Sequence, residues 1–504
     1  MADPVADQPA APVEGTRGPP RPTAATGVSS CSGTAAEPLE RTRMAVPDTG
    51  TTPARSTRRE RAGWYAYDWA NSAFQSTVIT VFLGPFLTTV AKQAAGCAPD
   101  ADTCDGNVHP LGITVAPGSY YAYLVSLSVF LTVFALPVMG AIADRSAHKK
   151  RLLAAAAFTG AGATMAMAFV TGDRYLLGGA LFLVANIAFG AAIVVYNSFL
   201  PQLAGPDDRD RISSRGWALG YLGGGLLLAI NLVVVQSFAV EGDAGRTLDL
   251  ARWSIVSAGV WWAVFTLVPL WWLTDRPGGQ AVDPSTRGNV LLDGFRQLRH
   301  TVRGMRAYPL TLFFLLAFLV YNDGIQTVIT LASQYGTEEL KLGQSTLIVT
   351  ILLVQFLAFG GALLLGALAA RIGARRTILV SLVLWTLVIL AAFRLPVGEA
   401  APFMVLGASI GLVLGGSQAL SRSLFSQLIP AGKEGEYYGF YEISDKGTSW
   451  LGPLAFGLIF QLTGSYRVGL VSLLVFFVVG GVLLALVPVR RAIIAAGNTP
   501  PATL

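Results

Sequence analysis

Gly140-Ala-Ile-Ala143-Asp144-Arg145-Ser-Ala-His-Lys149-Lys150 returns 226 residues later as Gly366-Ala-Leu-Ala369-Ala370-Arg371-Ile-Gly-Ala-Arg375-Arg376. Each copy closes a long apolar run with small residues and then a basic cluster. Two more echoes keep the same order: Gln202-Leu203 with Gln427-Leu428, and Thr77-Val78-Ile79-Thr80 with Thr327-Val328-Ile329-Thr330. The larger offset of the last pair means that the first outer loop is longer in the first half. Ordered matches at near-constant offset mark a duplicated chain, and each unit of the duplication is a set of membrane-length apolar runs.

Working outward from the two copies, apolar stretches separated by short polar breaks fill the chain at 67–91, 118–143, 152–171, 176–202, 214–239, 253–273, 309–335, 344–370, 377–396, 402–429, 437–462 and 466–489. Each is long enough for a helix to cross a hydrocarbon core of about 30 Å. Composition agrees: 53% of the 504 residues are hydrophobic and 13% charged, against about 25% charged in soluble domains. Gly84-Pro85, Pro137, Gly223 to Gly225 and Gly452-Pro453 fall inside these runs. A membrane bundle tolerates them because neighbouring helices satisfy the backbone and small residues permit close approach.

Lys and Arg set the orientation. With the N-terminus inside, the inner segments carry Arg55, Arg58, Arg59 and Arg61; Arg145, Lys149, Lys150 and Arg151; Arg209, Arg211 and Arg215; the arginines from Arg276 to Arg306; Arg371, Arg375 and Arg376; Lys433; and Arg490 with Arg491. The outer segments carry only Lys92, Arg174, Arg246, Arg252, Lys341, Arg394 and Arg467. The alternation supports an even number of crossings, with both termini cytoplasmic. The net charge of +6 is then a matter of loops beside an anionic leaflet, not of nucleic acid. Residues 1–63, rich in Ala, Pro, Thr and Arg, read as a disordered tail without a cleavable signal, and Met44 is an alternative start to Met1. The bodies that follow are 64–273 and 309–491, joined by a cytoplasmic loop at 274–308, with a second tail at 492–504. Internal repeats of this kind mark secondary transporters, whose substrate site lies at the repeat interface near the bilayer midplane.

The loop Gly140 to Lys150 resembles the signature between helices two and three of the major facilitator superfamily. More narrowly, Tyr67-Asp68-Trp69-Ala70-Asn71-Ser72, Arg211-Ile-Ser213-Ser214-Arg-Gly216-Trp-Ala-Leu-Gly220-Tyr221, Gln418-Ala-Leu-Ser421-Arg422-Ser423 and Thr448-Ser449-Trp450-Leu-Gly452-Pro453 resemble the vacuolar amino-acid effluxers, the autophagy-related permeases and their bacterial relatives, over about 64–489. The resemblance implies a twelve-helix, two-bundle fold, amino-acid export, and an acid at Asp144, beside Arg145, that docks on a helix end of the other half. Arg371 is expected in the matching gate loop of the second half, where Ala370 in place of an acid departs from the pattern and weakens the reading of the two loops as equal latches.

Ionised groups inside a membrane cost about 2.5–3.5 kcal/mol each on insertion scales, so each asks for a reason. Asp323 lies halfway along span seven, in Tyr321-Asn322-Asp323-Gly324-Ile325-Gln326; it reads as a substrate contact or proton-coupling group, or as a structural acid between helices. Arg422 offers a planar fork suited to a carboxylate, or else pairs with an acid on a facing helix. In span eleven, Glu442 and Lys446 share a face at i, i+4, a self-contained pair unless Lys446 leaves it during transport. Asp68, Asn71 and Gln75 follow at helical spacing on span one, the first near an inner gate and the others toward a cavity. Asn186, Tyr196, Asn197, Asn231, Gln326 and Gln355 add polar lining or interhelical hydrogen bonds. Cys97 and Cys104 share the first outer loop, either as a disulfide or as two thiols.

Three histidines in the chain leave little for a metal or a His-based enzyme, and no cofactor is expected. Gly407-Ala-Ser409-Ile-Gly411 matches a hydrolase pattern that needs a strand-to-helix elbow, yet it lies in an apolar run. No Gly-x-x-x-x-Gly-Lys-Ser/Thr loop is present, so a gradient drives transport. The reading is a monomeric secondary transporter in the plasma membrane whose partners are a small-molecule substrate, protons and the lipid bilayer. A sugar or drug facilitator, a membrane enzyme and a scaffold or receptor are the alternatives.

Overall fold

Thr57 starts the first helix by a reciprocal cap: its hydroxyl accepts from the Glu60 N–H at 3.1 Å while Glu60 accepts from the Thr57 N–H at 2.8 Å, satisfying two of the donors that a helix start leaves over. The helix therefore begins at Arg58, not at 67, and the expected tail shortens accordingly. The computed structural model describes residues 56–98, 104–240, 243–276, 304–446 and 465–504, with 455–456, 458–459 and 462–463 between. The expected tail before 56, most of the 274–308 loop and the Thr448 to Pro453 segment lie outside these residues.

The helices are α1 (Arg58–Ala94), α2 (Pro117–Arg145), α3 (Lys149–Ala166), α4 (Tyr175–Asn197), α5 (Arg209–Phe238), α6 (Ala244–Trp272), α7 (Pro309–Gln334), α8 (Gln344–Ile372), α9 (Ala374–Phe393), α10 (Ala400–Gln427), α11 (Glu434–Lys446), α12 (Tyr466–Leu486) and α13 (Val489–Ala495). Among the described residues eleven are long and apolar enough to cross a membrane. The start of α11 enters the remaining expected span, whose later part is largely outside the described residues. Inside α1 the stretch Phe74–Phe82 widens to a π-helix.

Two apolar cores form. One draws on α1–α6 around Trp64, Phe74, Phe86 and Trp262; the other draws on α7–α13 around Phe314, Tyr321, Trp385 and Phe477, joined by Leu136 and Val194. The side chains of Leu364, Val383, Val405 and Val475 are exposed, as lipid-facing positions are. Trp262 is fully buried, and Gly160 makes room for its ring: a Cβ there would stand 2.3 Å from it. Trp271 is 73% exposed, as an interfacial anchor is. The repeat is visible in packing too: Thr77 to Thr80 and Thr327 to Thr330 both run buried, buried, intermediate, exposed.

In the longer first outer loop Cys97 and Cys104 are joined as a disulfide, and Val108 and Val115 exchange backbone hydrogen bonds at 2.9 Å. The 492–504 segment differs from the expected tail. Its first part belongs to α13, which buries Ala492 and Ile493 in the second core.

Candidate functional site

The halves meet along two seams. In the first, α2 lies on α11. Gly140 and Gly435 bring the backbones so close that a Cβ on Gly140 would stand 2.2 Å from the Gly435 carbonyl oxygen, and Gly439 sits on Leu136 and Pro137. Asp144, buried, accepts from the Gly435 N–H at 2.7 Å and the Glu436 N–H at 2.8 Å, with Lys149 Nζ at 3.8 Å. A carboxylate at a helix start meets unpaired donors and the positive end of the helix dipole.

In the second seam α5 lies on α8 and α10. Ser213 donates to the Ala419 carbonyl at 2.7 Å, Arg209 Nη1 to the Ser426 carbonyl at 2.8 Å and Ser423 to Asp210 at 2.5 Å. Gly366 faces Ser214. Ala370, the counterpart of Asp144 by the repeat offset, is exposed, as is Arg371. Arg145 is exposed as well.

Between the seams stands Arg422 on α10, 3% exposed. Its guanidinium donates to Asp68 Oδ2 at 3.3 Å, to Asn197 Oδ1 at 3.4 Å, and to the Ser213 hydroxyl and carbonyl at 2.9 and 3.0 Å. Trp64, Trp217 and Tyr196 ring it, with centroids 4.7, 5.4 and 5.7 Å from its Cζ. Cation–π contact and an opposite charge together compensate a desolvated guanidinium. Gly216 is required here, since a Cβ would stand 2.5 Å from the Asp68 carboxylate. Thus one residue of the second half is held by α1, α4 and α5 of the first.

A polar chain runs onward. Asn197 Nδ2 donates to Glu442 Oε1 at 3.1 Å, so Asp68, Arg422, Asn197 and Glu442 form one sequence of contacts through α1, α10, α4 and α11. The sequence reading paired Glu442 with Lys446; the Lys446 side chain lies outside the described residues. Farther along α11, Asp445 accepts from Asn322 Nδ2 at 2.9 Å, and Asn322 Oδ1 accepts from Gln418 Nε2 at 2.9 Å. Next to it Asp323 is 1% exposed, and its carbonyl accepts from Thr327.

Asp68, Arg422, Asn197 and Tyr196 are therefore brought together, and Asn322 joins α11. Asn71 is buried, and its Nδ2 has no hydrogen-bond partner among the described residues. Gln75 is exposed one turn further along α1, and Gln326 is half-buried. Tyr196 is fully buried behind Arg422, stacked on Trp64 at 4.5 Å, so it backs the guanidinium instead of lining a passage. Asn186 donates to Ser128, and Asn231 accepts from Ser257 at 3.1 Å, both within the first half. Trp64, Ser213 and Gln418 were given no role from sequence. Ser213 and Gln418 stand in the segments that carried the resemblance, which was the one signal for them. Ser409 lies in continuous helix, donating to the Val405 carbonyl at 3.0 Å, not at a strand-to-helix elbow.

The family model described as "Vacuole effluxer Atg22 like" matches residues 56–497. An uncharacterized MFS-type transporter of Bacillus subtilis, YxiO, is 29% identical over 435 residues, covering 86% of this chain and 96% of its own. Autophagy-related protein 22-1 of Penicillium rubens is 29% identical over 545, covering 86% and 91%. Among solved structures the proton:xylose symporter XylE is similar with a TM-score of 0.63 at 12% identity, covering 85% of this chain and 95% of its own. The human organic anion transporter MFSD10 gives 0.62 at 15%, covering 85% and 99%. At these identities the structural likeness shows the fold, that of the major facilitator superfamily.

Proposed function

This chain belongs to the Atg22-like vacuole effluxer family within the major facilitator superfamily, and from that premise we propose that it exports an amino acid from the cytoplasm by alternating access. The moving bodies are the bundles 64–273 and 309–491, with both termini cytoplasmic, and the chain works as a monomer in the plasma membrane. A proton gradient supplies the driving force.

The observation that carries the reading is Arg422. Its fork is held across the halves by Asp68 at 3.3 Å, so in this state a protein carboxylate occupies the position that a substrate carboxylate takes once the halves part. Exchange of one carboxylate for another leaves the guanidinium paired in both states, which avoids the penalty of about 3–5 kcal/mol for a buried charge that loses its partner. With Asp68 on Arg422 and Asp144 on α11, the basic side is shut. Gln75 and Gln326 then face the passage from the opposite side, and the Asn71 amide offers a donor to what enters. Asp323, among α7 groups already engaged with α10 and α11, is the proton-coupling carboxylate.

Counterflow in proteoliposomes with a panel of labelled amino acids tests this. Saturable exchange of one or more amino acids is expected, with Asp323→Asn losing the pH dependence while exchange persists. Exchange confined to sugars or lipophilic drugs would contradict the substrate assignment, and unchanged pH dependence in Asp323→Asn the coupling.

A further inference from the structure

The second seam lacks the acid that closes the first, and another part of the chain lies there. By the repeat offset, Asp144 corresponds to Ala370, and the start of α11 at Gly435 and Glu436 corresponds to Asp210 and Arg211 at the start of α5. Beyond α13, Gly497 turns the chain with φ +80°, a conformation open to glycine without strain. Asn498 Nδ2 then donates to the carbonyls of Gln427 at 2.9 Å and Ile429 at 2.7 Å. The first carbonyl is that of the last residue of α10, where helix acceptors are left over, and the second lies two residues beyond that helix. Farther on, the Ala502 N–H donates to Asp207 Oδ1 at 2.7 Å, just before α5 in the first half. Leu504 packs on Gly373, where a Cβ would stand 2.2 Å from its carbonyl carbon. The segment thus has feet on both halves.

We infer that residues 496–504 form a strap that holds the second seam closed on the basic side in place of the missing acid, with Asn498 as a positioning residue for the end of α10. That helix carries Arg422, so the strap steadies the guanidinium fork as well. Its two ends differ in strength as a releasable part requires. The anchor is a two-carbonyl clamp beside α13, which buries Val489, Ala492 and Ile493, while the foot is one exposed hydrogen bond to a carboxylate, whose net worth in water is small. The anchor stays on the second half through the cycle, and the foot on Asp207 lets go when the halves part. The inference rests on the alternating-access reading above.

The test reads opening of the seam without substrate. Ser214, which is 2% exposed and faces Gly366, is replaced by cysteine in a Cys31→Ser background of the full chain. Its alkylation by an impermeant maleimide is timed from the basic side of sealed vesicles. Asp207→Ala, at an exposed position where folding is not at stake, and Asn498→Ala are each expected to raise the rate about fivefold, the ratio that about 1 kcal/mol gives. Asn498→Gln, which keeps the donor, restores part of the slow rate. Asp144→Asn serves as the responsive control. A faster rate in Asp144→Asn with none in Asp207→Ala or Asn498→Ala overturns the strap. No response in any variant, Asp144→Asn included, overturns both the strap and a gate that moves at this side. Accelerated alkylation without amino-acid counterflow keeps the strap and rejects the substrate assignment.

Discussion

The two seams have nearly the same backbone pattern and quite different chemistry. Along α2 and α11 the contact is main chain on main chain, made possible by Gly140, Gly435 and Gly439, and Asp144 is covered by the start of α11. Along α5, α8 and α10 the contact is made by side chains: Ser213, Arg209, Ser423 and Arg422. Duplication kept Gly140 and Ala143 as Gly366 and Ala369, all four buried, but Asp144 became Ala370, which is exposed. A symmetric fold therefore does not imply symmetric contacts between its halves. One seam is held by steric fit and a single helix-end acid, the other by a network centred on a guanidinium.

The largest way to break this contrast is to remove that guanidinium. Arg422→Ala leaves Asp68 buried without its partner, at a cost of about 3–5 kcal/mol, and is expected to abolish transport and lower the yield of folded protein in detergent. Arg422→Lys is expected to rescue yield more than transport, since an ammonium lacks the planar fork. Next come the two glycines. Gly140→Ala drives a methyl into the Gly435 backbone, with the carbonyl oxygen at 2.2 Å, whereas Gly366→Ala meets the Ser214 side chain, whose Oγ at 2.4 Å can rotate away while its Cβ at 2.5 Å needs only a small shift of α5. Alkylation of a basic-side cysteine should accelerate at least tenfold in Gly140→Ala and distinctly less in Gly366→Ala. Equal effects would mean that the seams do not differ in stiffness.

Asp144→Asn removes the charge but keeps one acceptor. A carboxylate at a helix start contributes about 0.3–1 kcal/mol, up to about 2 kcal/mol when partly buried. The same alkylation assay should show a rise of severalfold, smaller than that of Gly140→Ala. Smallest of all is Ala370→Asp. It restores the missing acid by sequence, but the position is open to water, where a carboxylate gains little. Less than a twofold change is expected, and a large slowing would show that the second seam accepts the same latch after all.

Much of the architecture was legible in the sequence because lipid imposes length and hydropathy on every span, and because duplication wrote the pattern twice. The start of α1 was not, for a local reason. Arg58 to Arg61 read as a polar tail, whereas the Thr57–Glu60 cap and the pairing of Glu60 with Arg276 at 3.0 Å extend the helix nine residues ahead of the apolar run. The C-terminal segment was missed because helix-end anchoring by Asn498 depends on carbonyls that only the folded bundle presents. At the site, sequence singled out Asp68, Arg422 and Asn197 as costly or polar residues inside the membrane, each on its own helix. The repeat offset that relates Gln202 to Gln427 also sets Asn197 opposite Arg422, but that Asp68 joins them at one guanidinium was beyond it, since nothing in linear spacing relates α1 to α4 or α10. Trp64 and Trp217 were indistinguishable from membrane aromatics until seen around a cation. The contact of Glu442 with Asn197 was beyond the sequence for the same reason: an i, i+4 rule speaks for one helix, and the facing helix adds its own partners.

The central claim is that the basic side opens and shuts around Arg422. It is tested most directly by the distance between spin labels at His148→Cys and Arg376→Cys, exposed positions in the two repeat-related loops, in protein reconstituted into lipid with Cys31→Ser. Two distance populations are expected, the shorter dominant, with Arg422→Ala shifting weight to the longer. A single distance, the same with and without Arg422, would contradict the account.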